Sequence, residues 1–178
     1  MKITVLMGSP NAKGSTSILA ERFRAGAVEA GHEVEVIDVA SQNVAPCTGC
    51  VSCGYEGDCI QLDGMGTMRE KILASDMLVF ATPLYYYGMT AQLKRVLDRF
   101  CAFNSSLTRK RMKSVLLAVA WNADDWTFDA LVAHYRTLVR YLSFDDAGMV
   151  LGYGCGTPSM TRASRYPDEA YRLGKSLG

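Results

Sequence analysis

Little in this 178-residue chain is of one charge. Nineteen Lys and Arg stand against eighteen Asp and Glu, a formal net charge of +1. That excludes a strong global field, so neither nucleic acid nor an anionic membrane surface is an expected partner. Long apolar runs are missing too. The longest, residues 115–121, is far short of the roughly 20 residues a membrane span needs. The opening apolar stretch is cut by Gly8-Ser9-Pro10, too early for a signal peptide, and reads as a strand. A cytoplasmic location is therefore expected. Histidine is scarce: His32 and His134 lie far apart, no Ser-His-Asp set emerges, and a hydrolase is not expected. There is no internal repeat, low-complexity tract or linker, and the length suits a single domain over residues 1–178.

What is present is an alternation of strands and helices. Apolar, β-branched segments fall at 2–7, 33–39, 77–81, 114–120 and 148–153. Between them lie helical stripes. Leu19, Phe23, Ala27 and Ala30 mark one over 15–31, closed by Gly31. Met65, Met68 and Ile72 mark a second, and Leu93, Val96, Leu97 and Phe100 a third. Leu131, Tyr135, Leu138 and Leu142 mark a fourth, with Asp125 as its expected N-cap, and a last helix is expected near 167–177. Such alternation implies βαβ units and an α/β fold. The expected architecture is a doubly wound, five-stranded parallel sheet of flavodoxin-like order 2-1-3-4-5, with helices on both faces. In that order a ligand sits at the carboxyl ends of strands 1 and 3, so the loops at 8–17 and 82–90 should face one site.

The first loop, Gly8-Ser9-Pro10-Asn11-Ala12-Lys13-Gly14-Ser15-Thr16-Ser17, is rich in hydroxyls at a helix start. A helix N-terminus offers free N–H groups to an anion. The glycine spacing fits neither G-x-G-x-x-G nor the Walker A loop. A hydroxyl-lined cup suits a terminal phosphate monoester such as that of FMN, with Ser9, Asn11, Ser15, Thr16 and Ser17 as candidate ligands. The alternative is a polar loop whose Ser and Thr merely cap the helix. The second loop carries Pro83-Leu84-Tyr85-Tyr86-Tyr87-Gly88. Three tyrosines in a row cannot all be core. Pro83, Leu84, Tyr85, Tyr86 and Gly88 are candidates for the wall of a flat ring, with Trp121 as a further wall. A tyrosine-rich dimer surface is the competing reading.

Four of the six cysteines, Cys47, Cys50, Cys53 and Cys59, fall in one 13-residue part of a long loop at 40–63. Without a secretory signal this clustering points to metal or redox chemistry before disulfides. Cys101 and Cys155 stand alone and read as dispensable structural thiols. Arg109-Lys110-Arg111 reads as a solvated loop face.

Together, Gly8-Ser9-Pro10…Gly14-Ser15-Thr16, Pro83-Leu84-Tyr85-Tyr86…Gly88 and Ala91-Gln92-Leu93-Lys94…Asp98-Arg99 resemble the flavodoxin-like NADPH-dependent FMN reductases. The cysteine stretch, followed by Asp63 and Met65, is similar to the iron–sulfur flavoprotein branch. The resemblance spans roughly residues 1–155. It implies non-covalent FMN, a homodimer or dimer of dimers, and NAD(P)H or a ferredoxin-type protein as electron donor. It also implies a [4Fe–4S] cluster on Cys47, Cys50, Cys53 and Cys59, exchanging electrons with the flavin. The spacing x2, x2, x5 suits a cubane better than a two-pair zinc site, but free redox-active thiols and zinc stay open. No side-chain acid or base is expected, since flavin carries the chemistry. Two other functions compete: a cluster-free NAD(P)H-dependent reductase of FMN, quinones or nitro compounds, and a non-enzymatic electron carrier or redox sensor.

Overall fold

A computed structural model describes residues 1–178. The five strands are β1 (Lys2–Met7), β2 (Glu33–Asp38), β3 (Met77–Pro83), β4 (Lys113–Val119) and β5 (Asp145–Gly152). All pair in parallel in the order β2-β1-β3-β4-β5, the flavodoxin-like arrangement. The three central strands are covered on both faces: Val5, Leu6, Val79, Phe80, Leu116 and Leu117 have no exposure. That is why they read as unbroken apolar runs. Edge strand β2 alternates instead, with Glu33 and Glu35 outward. At the other edge β5 slips register against β4 between Ser114 and Leu116.

The helices are α1 (Ser15–Glu29), α2 (Met65–Ala74), α3 (Ala91–Asp98), α4 (Asn104–Lys110), α5 (Asp129–Tyr141), α6 (Pro158–Ala163) and α7 (Tyr166–Lys175). None is long and apolar enough to cross a membrane. On one sheet face α2, α3 and α5 bury Met68, Ile72, Leu93, Val96, Leu131 and Tyr135. On the other, α1 and α7 bury Leu19, Phe23, Ala27 and Ala170. α1 and α7 approach backbone to backbone. A Cβ on Gly26 would lie 2.1 Å from the Tyr171 carbonyl oxygen, and one on Gly174 2.2 Å from that of Phe23. Gly31 ends α1 at φ +84°, as its position beyond the last helical turn suggested.

Four details depart from the sequence reading. β3 runs on to Pro83. Asp125 does not cap α5: the cap position is Phe128, with no side-chain hydrogen bond. A 3-10 turn (Arg99–Phe103) and α4 follow α3, so Arg109 and Lys110 sit on a helix rather than in a loop. The segment after β5 holds α6, N-capped by Thr157 through the Met160 N–H.

Candidate functional site

The first site lies where the sheet's winding reverses, at the carboxyl ends of β1, β3 and β4. A cleft of about 240 Å³ is lined there by Ser9, Asn11, Gly14, Ser15, Thr16, Pro83, Leu84, Tyr85, Val119, Ala120, Trp121, Cys155, Gly156 and Pro158. The two loops that the strand order was expected to bring together do meet. Gly8 makes the approach possible: its N–H donates to the Ala81 carbonyl at 2.7 Å, and a Cβ there would lie 2.7 Å from that of Leu93. Thr90 locks the junction, donating from Oγ1 to the Gly8 carbonyl (2.7 Å) while capping α3 at the Leu93 N–H.

The hydroxyls of the first loop divide into two kinds. Ser9 and Asn11 shape the loop itself. Ser9 Oγ donates to the Asn11 carbonyl and accepts from the Asn11 N–H, and Asn11 Oδ1 accepts from the Lys13 N–H. Ser15 Oγ and Thr16 Oγ1 are buried and have no partner. They do not cap α1, whose N-cap is Gly14 with no side-chain bond, so the helix-capping alternative falls. A buried unpaired hydroxyl costs about 1–3 kcal/mol, a cost usually offset by a ligand or water. Two of them beside the open N–H groups of a helix start fit an anionic, multi-acceptor group such as a phosphate.

The ring slot is built from the other strand ends. Pro83, Leu84 and Tyr85 form one side. Trp121 lies against Gly156, where a Cβ would come within 2.1 Å of its indole, so any other residue there would push the ring out of place. Tyr86 and Tyr87 form the tip of a hairpin closed by paired Tyr85–Gly88 hydrogen bonds of 3.1 Å. Both sit at positive φ, +46° and +64°, which for non-glycine residues costs about 1–2 kcal/mol each. Tyr86 is fully exposed and, with Leu84, Tyr87 and Trp121, lines a shallow hollow beside the cleft; Tyr87 packs at a tilt against Trp126.

Of the expected cofactor residues, Ser9, Asn11, Ser15, Thr16, Pro83, Leu84, Tyr85 and Trp121 line the cleft, whereas Ser17, Tyr86 and Gly88 do not. The sequence reading missed Gly14, Val119, Ala120, Gly156 and Pro158. Their signal was positional, since every strand's carboxyl end opens on the same edge. Cys155, read as a structural thiol, is buried in the cleft wall.

Thiols line a second cavity of about 190 Å³, with walls of Cys47, Thr48, Gly49, Cys50, Val51, Cys53, Tyr55, Cys59, Gln61, Arg99, Cys101 and Ala102. Cys101 is therefore not isolated. The turn after α3 carries it to the loop cysteines, where burial and the neighbouring Cys47 and Cys53 push its thiol up. Cys50 is an exposed part of the wall. Hydrogen bonds from the Ser52 side chain and backbone, then from Thr48, lower its thiol to about 7. No three Cys, His, Asp or Glu side chains converge closely enough to hold a metal ion. The cavity's thiol lining suits a thiophilic group in donor chemistry alone; the thiols stand too far apart to hold one as they are.

Val44 ties this loop to the core, with Cys53 and Cys59 packed against it, and charge holds the rest. Arg99, only 2% exposed, donates to both Asp63 oxygens (2.7 and 3.2 Å) and to the carbonyls of Ala45 and Gln61. Arg95 reaches the Gln42 carbonyl at 2.8 Å, and Arg69–Asp58 and Arg109–Glu56 close the rim at 2.9 Å. Burial pushes the Asp63 carboxyl up. Arg99 and the N–H groups of Ala45 and Met65 outweigh it and hold the carboxyl below its ordinary value.

Residues 1–145 match the sequence profile of the NADPH-dependent FMN reductases. The chain belongs to that family. An iron–sulfur flavoprotein of Archaeoglobus fulgidus is 33% identical over 110 residues, 62% of this chain and 50% of that one. The chain spans about half the length of the iron–sulfur flavoproteins it matches. YwqN of Bacillus subtilis, provisionally named an NAD(P)H-dependent FMN-containing oxidoreductase, is 27% identical over 97% of this chain and 96% of its own. Among solved structures, an NAD(P)H:quinone oxidoreductase from Methanothermobacter marburgensis superposes with a TM-score of 0.78 at 22% identity, covering 99% of this chain and 96% of that one; it shows the shared fold.

Proposed function

We propose that the protein is an NAD(P)H-dependent oxidoreductase that binds FMN, without a covalent bond, in the strand-end cleft. The observation that carries this reading is the pair of buried, unpartnered hydroxyls of Ser15 and Thr16 at the open start of α1. Bound there, FMN supplies hydride and single-electron chemistry. The chain's own residues bind and orient it. Ser15 Oγ and Thr16 Oγ1 donate to the phosphate, and Ser9 and Asn11 hold the loop that presents them. Pro83, Leu84, Tyr85 and Trp121 shape the slot and keep water from the ring faces. The exposed aromatic hollow of Tyr86 and Trp121 offers flat faces to a nicotinamide or a quinone- or nitro-type acceptor. The same tyrosine ledge is the surface on which a homodimer would close.

The finer part of the proposal is a [4Fe–4S] cluster on Cys47, Cys50, Cys53 and Cys59 that exchanges electrons with the flavin. Soft cysteine sulfurs lining one cavity support it, as do the names of the half-length relatives. NAD(P)H or a ferredoxin-type protein would then serve as donor. The open spacing of the thiols and the near full-length match to YwqN favour a second reading, a cluster-free NAD(P)H reductase.

Protein made and purified without oxygen separates the two. Stoichiometric FMN with iron and acid-labile sulfide in cluster ratio is expected. Flavin with less than one iron per chain removes the cluster and leaves the reductase. FAD or NAD as the tightly held cofactor removes the FMN site.

A further inference from the structure

A guanidinium has five N–H donors, and in Arg99 four are already spoken for. Nη1 serves the Ala45 carbonyl (2.9 Å) and Asp63 Oδ2 (2.7 Å). Nη2 serves the Gln61 carbonyl (3.3 Å) and Asp63 Oδ1 (3.2 Å). The fifth, on Nε, is buried and has no partner. An unsatisfied donor on a fully buried cation is costly, and each one in a folded protein asks for an explanation. Its surroundings supply one. Arg99 lines both cavities that flank Cys59, and the Cys59 sulfur adjoins the guanidinium. Ala45, Gln61 and Asp63 hold the guanidinium through its four other N–H groups, so it cannot swing off to find water.

We propose that Arg99 is the cationic wall of the thiol pocket, donating its Nε–H to the sulfur of Cys59 when that sulfur ligates a thiophilic centre. The assignment rests on the reading of the cysteine loop as a thiolate site. Thiolate ligands load a small cavity with negative charge, and a fixed N–H donor beside one sulfur offsets part of it. It also gives Cys59 a cationic partner among the loop cysteines. Arg99 here is a positioning residue, acting on the bound centre through Cys59.

The test uses the full, FMN-loaded chain, ¹⁵N-labelled, reduced and free of oxygen, titrated with Cd²⁺ as a diamagnetic thiophilic probe. Near-ultraviolet thiolate-to-cadmium absorption reports ligation, and the Arg99 Nε–H resonance reports the hydrogen bond. With ¹¹³Cd the resonance is expected to move and to split through the N–H···S bond; with spin-free ¹¹²Cd it should move without splitting. Arg99→Lys keeps the charge but loses the fixed donor, and should weaken cadmium binding about tenfold or more. If that variant fails to fold, the isotope comparison in the wild-type chain still decides. Cadmium absorption with an unmoved Nε–H overturns the donor assignment and leaves the thiolate site standing. No cadmium absorption at all removes the thiolate site, and the assignment with it.

Discussion

The flavin cleft and the thiol pocket are held by different physics. The cleft is made where regular elements end. β1, β3 and β4 fix its floor, α1 aims its donors, and Gly8 and Thr90 weld the two loops together. Its shape is a by-product of the core, which keeps the Ser15 and Thr16 hydroxyls buried and without a protein partner. The thiol pocket is almost all loop. Val51, Gly49, Gly54 and Tyr55 sit at positive φ, and arginines from α2, α3 and α4 clamp the rest. One helix links the regions. α3 begins at Thr90, bonded to Gly8 in the loop after β1, and its end leads into Arg99, bonded to the cysteine loop. Its eight residues span about 12 Å at 1.5 Å each. A site built on strand ends is preorganised by folding alone, whereas one built on a clamped loop stands or falls with the clamp.

The clamp is the place to break that contrast most strongly. Asp63→Ala leaves Arg99 buried without its counter-ion and should cost about 3–5 kcal/mol by denaturant titration. Limited proteolysis should cut first within residues 45–63, while protein that remains folded still binds FMN. Acid should reach the same contact. Asp63 is held below its ordinary value, so its contribution is complete above about pH 4 and is lost as pH falls further. Asp63→Asn should flatten that part of the stability–pH curve.

The cleft should respond in the opposite sense. Thr16→Val removes a buried, unpaired hydroxyl. The ligand-free protein should gain up to about 1 kcal/mol, while FMN binding weakens about tenfold. A melting series with and without FMN reads both. The hairpin tip sharpens the comparison further, because it is strained by choice of residue. Replacing Tyr86-Tyr87 with Asn-Gly, the pair such turns prefer, should stabilise the chain by about 1 kcal/mol and lower NAD(P)H turnover. The smallest effect is chemical. In the metal-free chain Cys50, with its thiol lowered to about 7, should be alkylated at neutral pH before Cys101, whose thiol is raised. Peptide mass mapping orders the two.

The fold was legible because period and punctuation agree. Unbroken apolar runs mark strands covered on both faces, and Gly31 and Pro83 stand at element ends. Most of the cleft was legible too, since strand order puts the first and third loops at one edge. The rest depends on contacts between distant segments. Nothing local in the sequence says that a 3-10 turn after α3 returns Cys101 to the loop cysteines. Nor does it say that Gly156 lies under Trp121, or that the Asp125 turn leaves Phe128 at the cap of α5. Asp63 and Arg99 were visible only as parts of a resemblance; their pairing, 36 residues apart, is a tertiary fact.

The central claim is that Ser15 and Thr16 hold a phosphate. Riboflavin and FMN differ by that group alone, so their relative affinity for the metal-free protein isolates it. The wild-type chain should bind FMN at least about a hundredfold more tightly than riboflavin, the worth of two charge-assisted hydrogen bonds. In the Ser15→Ala, Thr16→Val double variant the two ligands should come within a few-fold of each other. Equal binding of both flavins by the wild-type chain, or an undiminished preference in the double variant, would contradict the account.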